Sequence, residues 1–195
     1  IDRIGGPSGY NGSTYGDYFV LDLDSNDLPL LVRSMTRLLD DLRSYEHYNF
    51  FSGRRGFHIY VPKYLVKYDK EMDSNWVEAN KIFAKLIMHK YPELTKAGGK
   101  DSEGKDLSAI DLSIYQTIKL FRFPYSRHTD PSAYYKIPRT YVGFNQADPN
   151  KSFENTQMEK KEMLEMIFAR NNMPETGVID PIFDLGEEVP DKIVE

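Results

Sequence analysis

The stretch Tyr18-Phe19-Val20-Leu21-Asp22-Leu23-Asp24 decides the fold, because its aromatic and β-branched residues are typical of a buried strand. Side chains two apart on a strand point to the same face, so Asp22 and Asp24 project together while the leucines face the core. Two carboxylates held this close repel each other unless a cation lies between them. The stretch therefore predicts either a divalent metal site or, in the simpler alternative, a strand whose acidic end only caps the next helix.

The segments after this strand alternate between helical and strand-like patterns. Apolar residues at helical spacing predict a helix over residues 28–42, capped by Asn26 or Asp27. A hairpin is expected from residues 48–51 and 56–61, which flank a glycine-containing turn. A second helix is expected over residues 75–91, and Pro92 should end it. This order favours an α+β fold with a mixed or antiparallel sheet and helices on one face.

The second half of the chain is less regular. A glycine-containing polar stretch, residues 93–108, predicts a mobile surface loop. Further strands are expected at residues 109–115, 119–123, 134–137 and 139–144, and a helix at 154–170. The last 25 residues are acidic and contain proline, which predicts an extended or disordered tail. We therefore expect a core domain over residues 1–150, followed by a C-terminal helix and tail over residues 151–195.

Composition excludes several classes of protein. The 195 residues include no cysteine, which rules out disulfides and thiolate metal sites and favours a reducing, cytoplasmic setting. No apolar run is long enough for a membrane span, so we expect a soluble protein with no membrane partner. The chain begins with Ile1 rather than methionine, which suggests a fragment of a longer polypeptide.

Taken alone, the net charge of -5 argues against a nucleic-acid partner. However, residues 150–195 hold 5 basic and 11 acidic residues, which leaves 20 and 19 in residues 1–149. The body is therefore close to neutral, and residues 119–139 carry five basic side chains against one acid. This stretch is locally basic, and if the protein acts on nucleic acid, Lys119, Lys136 and Arg139 would contact the nucleic-acid backbone.

The hairpin turn has the composition of a phosphate-binding loop. Ser52-Gly53-Arg54-Arg55-Gly56-Phe57-His58 places a serine, two arginines and a histidine around two glycines. Glycine lets backbone N–H groups approach an anion closely, and the guanidinium groups offer forked donors to phosphate oxygens. His58 alternates away from the core residues on either side of it. The alternative is an ordinary hairpin with surface arginines and a histidine on the wet face of the sheet.

A third group of candidate residues follows the second helix. Asp111 lies between apolar neighbours on an expected strand, and a buried acid there needs a partner such as a shared metal. The alternative is a carboxylate bonded to backbone at a strand end. Eleven residues later, the stretch from Arg122 through Ser126 to His128 forms another cluster of donors around Pro124. Oxygen-only ligands would select Mg²⁺ or Mn²⁺, and the shortage of histidine and cysteine argues against zinc.

Together these three segments resemble the archaeo-eukaryotic primase superfamily, which includes replicative primases and the primase-polymerases of plasmids, viruses and CRISPR loci. Its motifs are a strand with two acids, a Ser-Gly-x-Arg-Gly-x-His strand, and an acid-bearing strand followed by a basic segment that ends in histidine. The matching stretches here are residues 20–24, residues 52–58, and Ile110-Asp111 with residues 122–128. The resemblance spans roughly residues 18–145.

The resemblance implies a core of RRM-like topology that joins nucleotides on a template. In that scheme Asp22, Asp24 and Asp111 are the catalytic acids and hold two Mg²⁺ or Mn²⁺ ions. The triphosphate ligands would be Ser52, Arg54, Arg55, His58, Arg122, Ser126 and His128, of which Ser126 is the weakest match. The implied substrates are dNTPs or NTPs with single-stranded DNA template and primer. Further replication or CRISPR adaptation domains are expected to be fused to or associated with the core.

The sequence also departs from the family pattern. The Cys/His zinc stem that many primases carry between the second and third motifs is absent, which favours the compact primase-polymerases and leaves unprimed initiation open. Two alternatives to a DNA primase/polymerase remain. One is a catalytically idle nucleic-acid-binding module of the same fold, although such a module has no need of the three acids. The other is a two-metal phosphoesterase, which would not explain the residues around Gly53 and Gly56.

Overall fold

The strand that carries the first two aspartates lies where the sequence predicts it. In the computed structural model, which describes residues 15–105, 107–116, 136–138 and 180–186, this strand spans Tyr18–Asp24. Leu21 and Leu23 are fully buried, whereas Asp22 and Asp24 lie on the opposite, half-buried face. The period-two pattern therefore predicted the face of both carboxylates correctly.

Six strands and four α-helices are described. The strands are β1 (Tyr18–Asp24), β2 (Tyr48–Phe51), β3 (Gly56–Pro62), β4 (Val66–Lys67), β5 (Ile137–Pro138) and β6 (Phe183–Asp184). The helices are α1 (Leu28–Ser34), α2 (Thr36–Asp41), α3 (Trp76–Lys90) and α4 (Pro92–Thr95). Both the hairpin and the second long helix are confirmed.

The main sheet has the strand order β1-β3-β2-β5, and all of its pairs are antiparallel. An antiparallel bridge between Leu23 and Ile110 extends it along the other edge of β1. The chain thus runs strand, helices, hairpin, helix and a final bridging segment, which is the order of the split β-α-β-β-α-β pattern. The α+β class is confirmed.

The core lies on the face of β1 that points away from the aspartates. There Phe19 meets Phe83 of α3 at a ring-centroid distance of 4.9 Å and Trp76 at 4.6 Å. Leu31 of α1 and Leu38 of α2 are fully buried in the same cluster. Helices therefore cover one face of the sheet and leave the acid-bearing face for other contacts.

The predicted helix over residues 28–42 is divided. Met35 separates α1 from α2 but keeps helical dihedral angles, with φ -73° and ψ -16°. Hydrogen bonds from Met35 N–H to the Leu31 carbonyl and from Leu39 N–H to the Met35 carbonyl, both 3.0 Å, cross the division. Of the two expected caps, Asn26 and Asp27, the N-cap is Asp27, whose Oδ1 accepts from Leu30 N–H at 2.9 Å. The amphipathic pattern was thus correct, although the helix is not continuous.

The prediction of a mobile surface loop over residues 93–108 is wrong for its first part. Leu94 and Ala97 are fully buried, and α4 follows Tyr91 directly. Gly98 is buried too, and a Cβ there would lie 2.3 Å from the Leu107 carbonyl oxygen. Two apolar residues among many polar ones gave no periodic signal, so the sequence did not reveal this packing.

The prediction of a strand over residues 109–115 is also wrong for the part that follows Ile110. A short 3₁₀ turn, Leu112–Ile114, begins there, and Asp111 is its N-cap. The Asp111 carboxylate accepts from Ser113 N–H at 2.8 Å, a local bond that competes with continued sheet pairing. The elements expected at residues 119–123, 139–144 and 154–170 lie outside the described residues.

Part of the acidic tail docks on the body. Strand β6 pairs in parallel with β4, and Phe183 is buried within 5.5 Å of Phe83, measured between ring centroids. Lys67 and Asp184 form an ion pair at 2.6 Å. The tail is extended here, as predicted, but it is held by an apolar anchor. None of the helices in the described ranges is long and apolar enough to cross a membrane.

A buried amide joins α3 to β1. Asn80 Oδ1 accepts from Val20 N–H at 2.8 Å, and Asn80 Nδ2 donates to the Trp76 carbonyl at 2.8 Å. Asn80→Ala leaves the Val20 donor buried without this acceptor, so we expect the free energy of unfolding to fall by about 2 kcal/mol. Chemical denaturation measures this change. His89→Ala, at an exposed site on the same helix, should change stability by less than about 0.5 kcal/mol; equal losses in both variants would contradict the assigned role of Asn80.

Candidate active site

The pairing of β1 with β3 brings the first acid beside the histidine. Asp22 lies directly opposite His58 in the register, and His58 Nε2 is 3.3 Å from Asp22 Oδ1. Their side chains are only 16% and 10% exposed. A partly buried carboxylate and imidazole at this distance form a charged or hydrogen-bonded pair, depending on the protonation of His58. Two motifs predicted to act together are therefore in contact.

The second acid pairs with the hairpin turn. Arg55 directs both Nε and Nη2 at Asp24 Oδ2, at 3.2 and 3.1 Å. Arg55 is 55% exposed and Asp24 39%, so solvent screens this pair and its contribution to stability is small. The Arg55 carbonyl also accepts from Ser25 N–H at 3.0 Å, which joins the backbone of the turn to the end of β1. The turn therefore lies close against the acidic end of the strand.

Gly56 allows this close approach. It lies opposite Asp24 in the register, and a Cβ at this position would lie 1.9 Å from the Leu23 carbonyl oxygen and 2.4 Å from Asp24 Oδ1. No side chain fits in that space. The role of Gly56 that the structure shows is a packing role, since it lets the turn lie against β1.

The surroundings of Asp24 disfavour its ionised form. Burial raises the pKa of the Asp24 carboxyl above its usual range, and the nearby Asp22 raises it further. Arg55 and His58 act in the opposite direction without cancelling this rise. The ionised pair is therefore disfavoured in the protein alone, and a divalent cation between the two carboxylates would relieve both causes. The oxygen donors of Asp22 and Asp24 suit a hard ion such as Mg²⁺ or Mn²⁺.

Asp111 lies next to the same stretch of β1, but its side chain serves the local backbone. Asp24 N–H donates to the Ala109 carbonyl at 2.8 Å and Asp111 N–H to the Asp22 carbonyl at 3.3 Å. Burial and the charges of Asp22 and Asp111 raise the pKa of Tyr115, whose hydroxyl donates to the Val20 carbonyl at 2.8 Å. Among the described residues, no group of three or more His, Asp or Glu side chains is arranged to hold a metal ion.

Of the remaining predicted ligands, two lie within the described residues, Ser52 and Arg54. Ser52 is buried, and its N–H donates to the Gly56 carbonyl at 2.8 Å, which closes the turn. Gly53 has a φ of 96°, and the next residue, Arg54, is exposed beyond it. The turn thus forms as expected around its glycines. Arg122, Ser126 and His128 lie outside the described residues, as do Lys119 and Arg139.

The prediction that Lys136 contacts a nucleic-acid backbone is wrong, because this side chain is fully buried. Its Nζ donates to the Tyr60 hydroxyl at 2.7 Å on the acid-bearing face. Burial and the charge of Asp22 raise the pKa of Tyr60 to about 12, so this phenol stays protonated at neutral pH. The alternation of residues along β3 could have placed Tyr60 on the face of His58, but nothing in the sequence pairs it with a residue 76 positions away.

Comparison with known families and proteins does not assign a function to this site. No known family model matches the sequence, and no curated protein matches it. A function for this site therefore rests on its own residues and their arrangement.

Gly56→Ala should disrupt the contact between the turn and β1. Because the added Cβ meets backbone, we expect the free energy of unfolding to fall by about 3 kcal/mol, measured by chemical denaturation. Gly104→Ala is the matched control, since Gly104 has a φ of +83° but nothing within 4 Å. That variant should lose only about 1 kcal/mol from the left-handed conformation. A smaller loss at Gly56 than at Gly104 would refute the steric role.

Asp24→Asn should raise the melting temperature at pH 7 when a chelator removes divalent ions. A carboxyl whose pKa is higher in the folded protein than in the unfolded chain lowers stability once it ionises. The gain should therefore shrink as the pH falls through the folded pKa, and it should vanish below the unfolded value of about 3.8.

Asp184→Asn is the matched control with the opposite sign, because Lys67 lowers the pKa of Asp184. This variant should lower the melting temperature at pH 7, and its effect should also disappear at low pH. Thermal unfolding followed from pH 3 to 8 measures both variants. A melting temperature that falls at pH 7 in Asp24→Asn would contradict the crowding of the acid pair.

Proposed function

We propose that this chain is a template-directed nucleotidyltransferase, a DNA primase/polymerase that joins dNTPs or NTPs on single-stranded or primed DNA in the cytoplasm. One observation carries the proposal. The carboxylates of Asp22 and Asp24 lie on one strand face and contact His58 and Arg55, the donors of a glycine turn whose composition suits a triphosphate. Acids for a metal and donors for a polyphosphate thus occupy adjacent positions, which is the requirement of nucleotidyl transfer.

The residues of this site would have separate roles. Asp22 and Asp24 would hold the divalent ions, and Asp111 would join them by turning its carboxylate away from Ser113. Bound metal would lower the pKa of the attacking 3'-hydroxyl and neutralise charge on the leaving pyrophosphate. Arg54 and Arg55 would bind phosphate oxygens by forked hydrogen bonds, and His58 would add a donor on the strand. Arg122, Ser126 and His128 are proposed as further ligands on the sequence motif alone.

The arrangement also favours a polyphosphate over a simple phosphodiester as the substrate. Two acids would suffice for metal-assisted hydrolysis, whereas an arginine and a histidine held directly beside them provide for an extended anion. His58 is little exposed and lies against Asp22. It is therefore placed to contact one specific group of a ligand and not to attract anions over a distance. We therefore propose the triphosphate of the incoming nucleotide as the group that the turn binds.

A primer-extension assay tests this function. The wild-type chain, given a primed template, dNTPs or NTPs, and Mg²⁺ or Mn²⁺, should extend the primer, and an Asp22→Ala, Asp24→Ala double variant should lose the activity by about 10³-fold or more. An Asp40→Ala, Glu78→Ala variant removes two exposed acids elsewhere and should keep full activity. An unprimed template tests initiation in the same assay.

Other outcomes of this assay support the alternatives. DNA binding without extension in any metal would indicate an idle nucleic-acid-binding module. Metal-dependent strand cleavage would indicate a phosphoesterase. His58→Ala should weaken nucleotide affinity more than DNA affinity, because His58 is proposed to contact the triphosphate. Equal losses of both affinities would refute that role.

A further inference from the structure

The buried lysine on the acid-bearing face has an unusual set of neighbours. Lys136 has no exposed surface, and its ammonium lies 5.3 Å from the ring centroid of Phe50 and 4.9 Å from that of Tyr60. It also donates to the Tyr60 hydroxyl at 2.7 Å. One cation therefore lies close to two aromatic rings and donates to the hydroxyl of one of them.

These two rings flank the histidine of the candidate site. Phe50 on β2 lies directly opposite His58 in the register, and Tyr60 follows His58 by two residues on β3. Cross-strand partners and residues two apart share one face of a sheet, so all three side chains lie on the face of Asp22. The rings of Phe50 and Tyr60 meet edge to face, with centroids 5.8 Å apart. His58 thus has Asp22 opposite it on β1, Phe50 opposite it on β2, and Tyr60 two residues along its own strand.

Packing alone does not require an ammonium at this position. Taking a charged amine out of water is costly, and an unbranched apolar side chain would fill similar space without that cost. The ammonium adds directional contacts, which include the hydrogen bond to the Tyr60 hydroxyl and the attraction to the Phe50 ring. Lys136 comes from residues next to β5, at the far edge of the sheet, so these contacts reach across β2 to β3.

We propose that Lys136 is a positioning residue for His58. By holding Phe50 and Tyr60 in place, it keeps the imidazole of His58 directed at Asp22 and at the space where a triphosphate would bind. The step from His58 to the nucleotide rests on the proposed function, whereas the step from Lys136 to His58 is a property of the protein alone. The two steps can therefore be tested separately.

The first test is nuclear magnetic resonance of the histidine rings in the full chain without nucleotide. The sequence contains four histidines, so the ring signals can be assigned by substitution. In Lys136→Met, the His58 signals should shift or broaden, and those of His47 and His89 should stay unchanged. Lys67→Met, which removes an exposed lysine away from this face, should leave His58 unchanged.

A second variant keeps this test decisive if Lys136→Met does not fold. Tyr60→Phe removes only the hydroxyl to which Lys136 donates and keeps the aromatic ring. It should change the His58 signals in the same direction and by a smaller amount. Unchanged His58 signals in a folded Lys136→Met, or in Tyr60→Phe where the former does not fold, would overturn the inference whatever reaction the protein catalyses.

The second test is kinetic and separates positioning from general loss of structure. Lys136→Met should raise KM for the incoming nucleotide about tenfold, the scale of a misdirected contact, and leave kcat within about twofold. In a His58→Ala background the same substitution should add no further increase, because the residue that it positions is gone. Additive effects of the two substitutions would overturn the inference. Altered His58 signals in a protein with no extension activity would refute the proposed function and leave the positioning role intact.

Discussion

The register between β1 and β3 is the constraint on which the rest of the site depends. It sets Asp22 opposite His58 and Asp24 opposite Gly56. A shift by one residue would turn the aspartates toward the core and the leucines toward solvent, so burial of the apolar face fixes the pairing strongly. The lack of room for a Cβ at Gly56 adds a second restraint. The contact of acid and histidine is thus a consequence of how the hydrophobic core forms.

The other edge of β1 is bonded to residues of α3 and of the segment 107–116. Asn80 accepts from Val20 N–H, Tyr115 donates to the Val20 carbonyl, and the Ala109 carbonyl accepts from Asp24 N–H. The strand that carries the acids is therefore bonded on both sides, which restrains its backbone. Arg54, by contrast, is exposed at a turn. A rigid acid pair beside a more adaptable set of cations suits a site that holds small ions firmly and accommodates a larger, flexible anion.

Sequence reasoning succeeded where local pattern and geometry coincide. The face of Asp22, the hairpin around Gly53, the long helix and the Asp27 cap all follow from spacing of two or 3.6 residues or from cap chemistry. It failed where one short contact decided the outcome. The bond from Ser113 N–H to Asp111 ended a strand, and a lysine that charge counting placed at the surface is buried beside Phe50 and Tyr60. Some of these contacts join residues far apart in sequence, and others are single hydrogen bonds that compete with sheet pairing. Neither kind leaves a periodic pattern in the sequence.

The charges of the site show how ligand and protein could exchange partners. In the protein alone, Arg55 and His58 are paired with Asp24 and Asp22. On the proposed function, the same two side chains bind phosphate and the same two acids bind metal. A nucleotide that binds as its metal complex carries both a cation and negatively charged phosphates. Each ion pair of the free site would therefore break only as its two members gain new partners of opposite charge. The protein then never exposes two unpaired carboxylates at close range, a state that the raised pKa of Asp24 indicates is unfavourable. On this argument, Arg55 and His58 offset part of the repulsion between the two acids until the substrate binds.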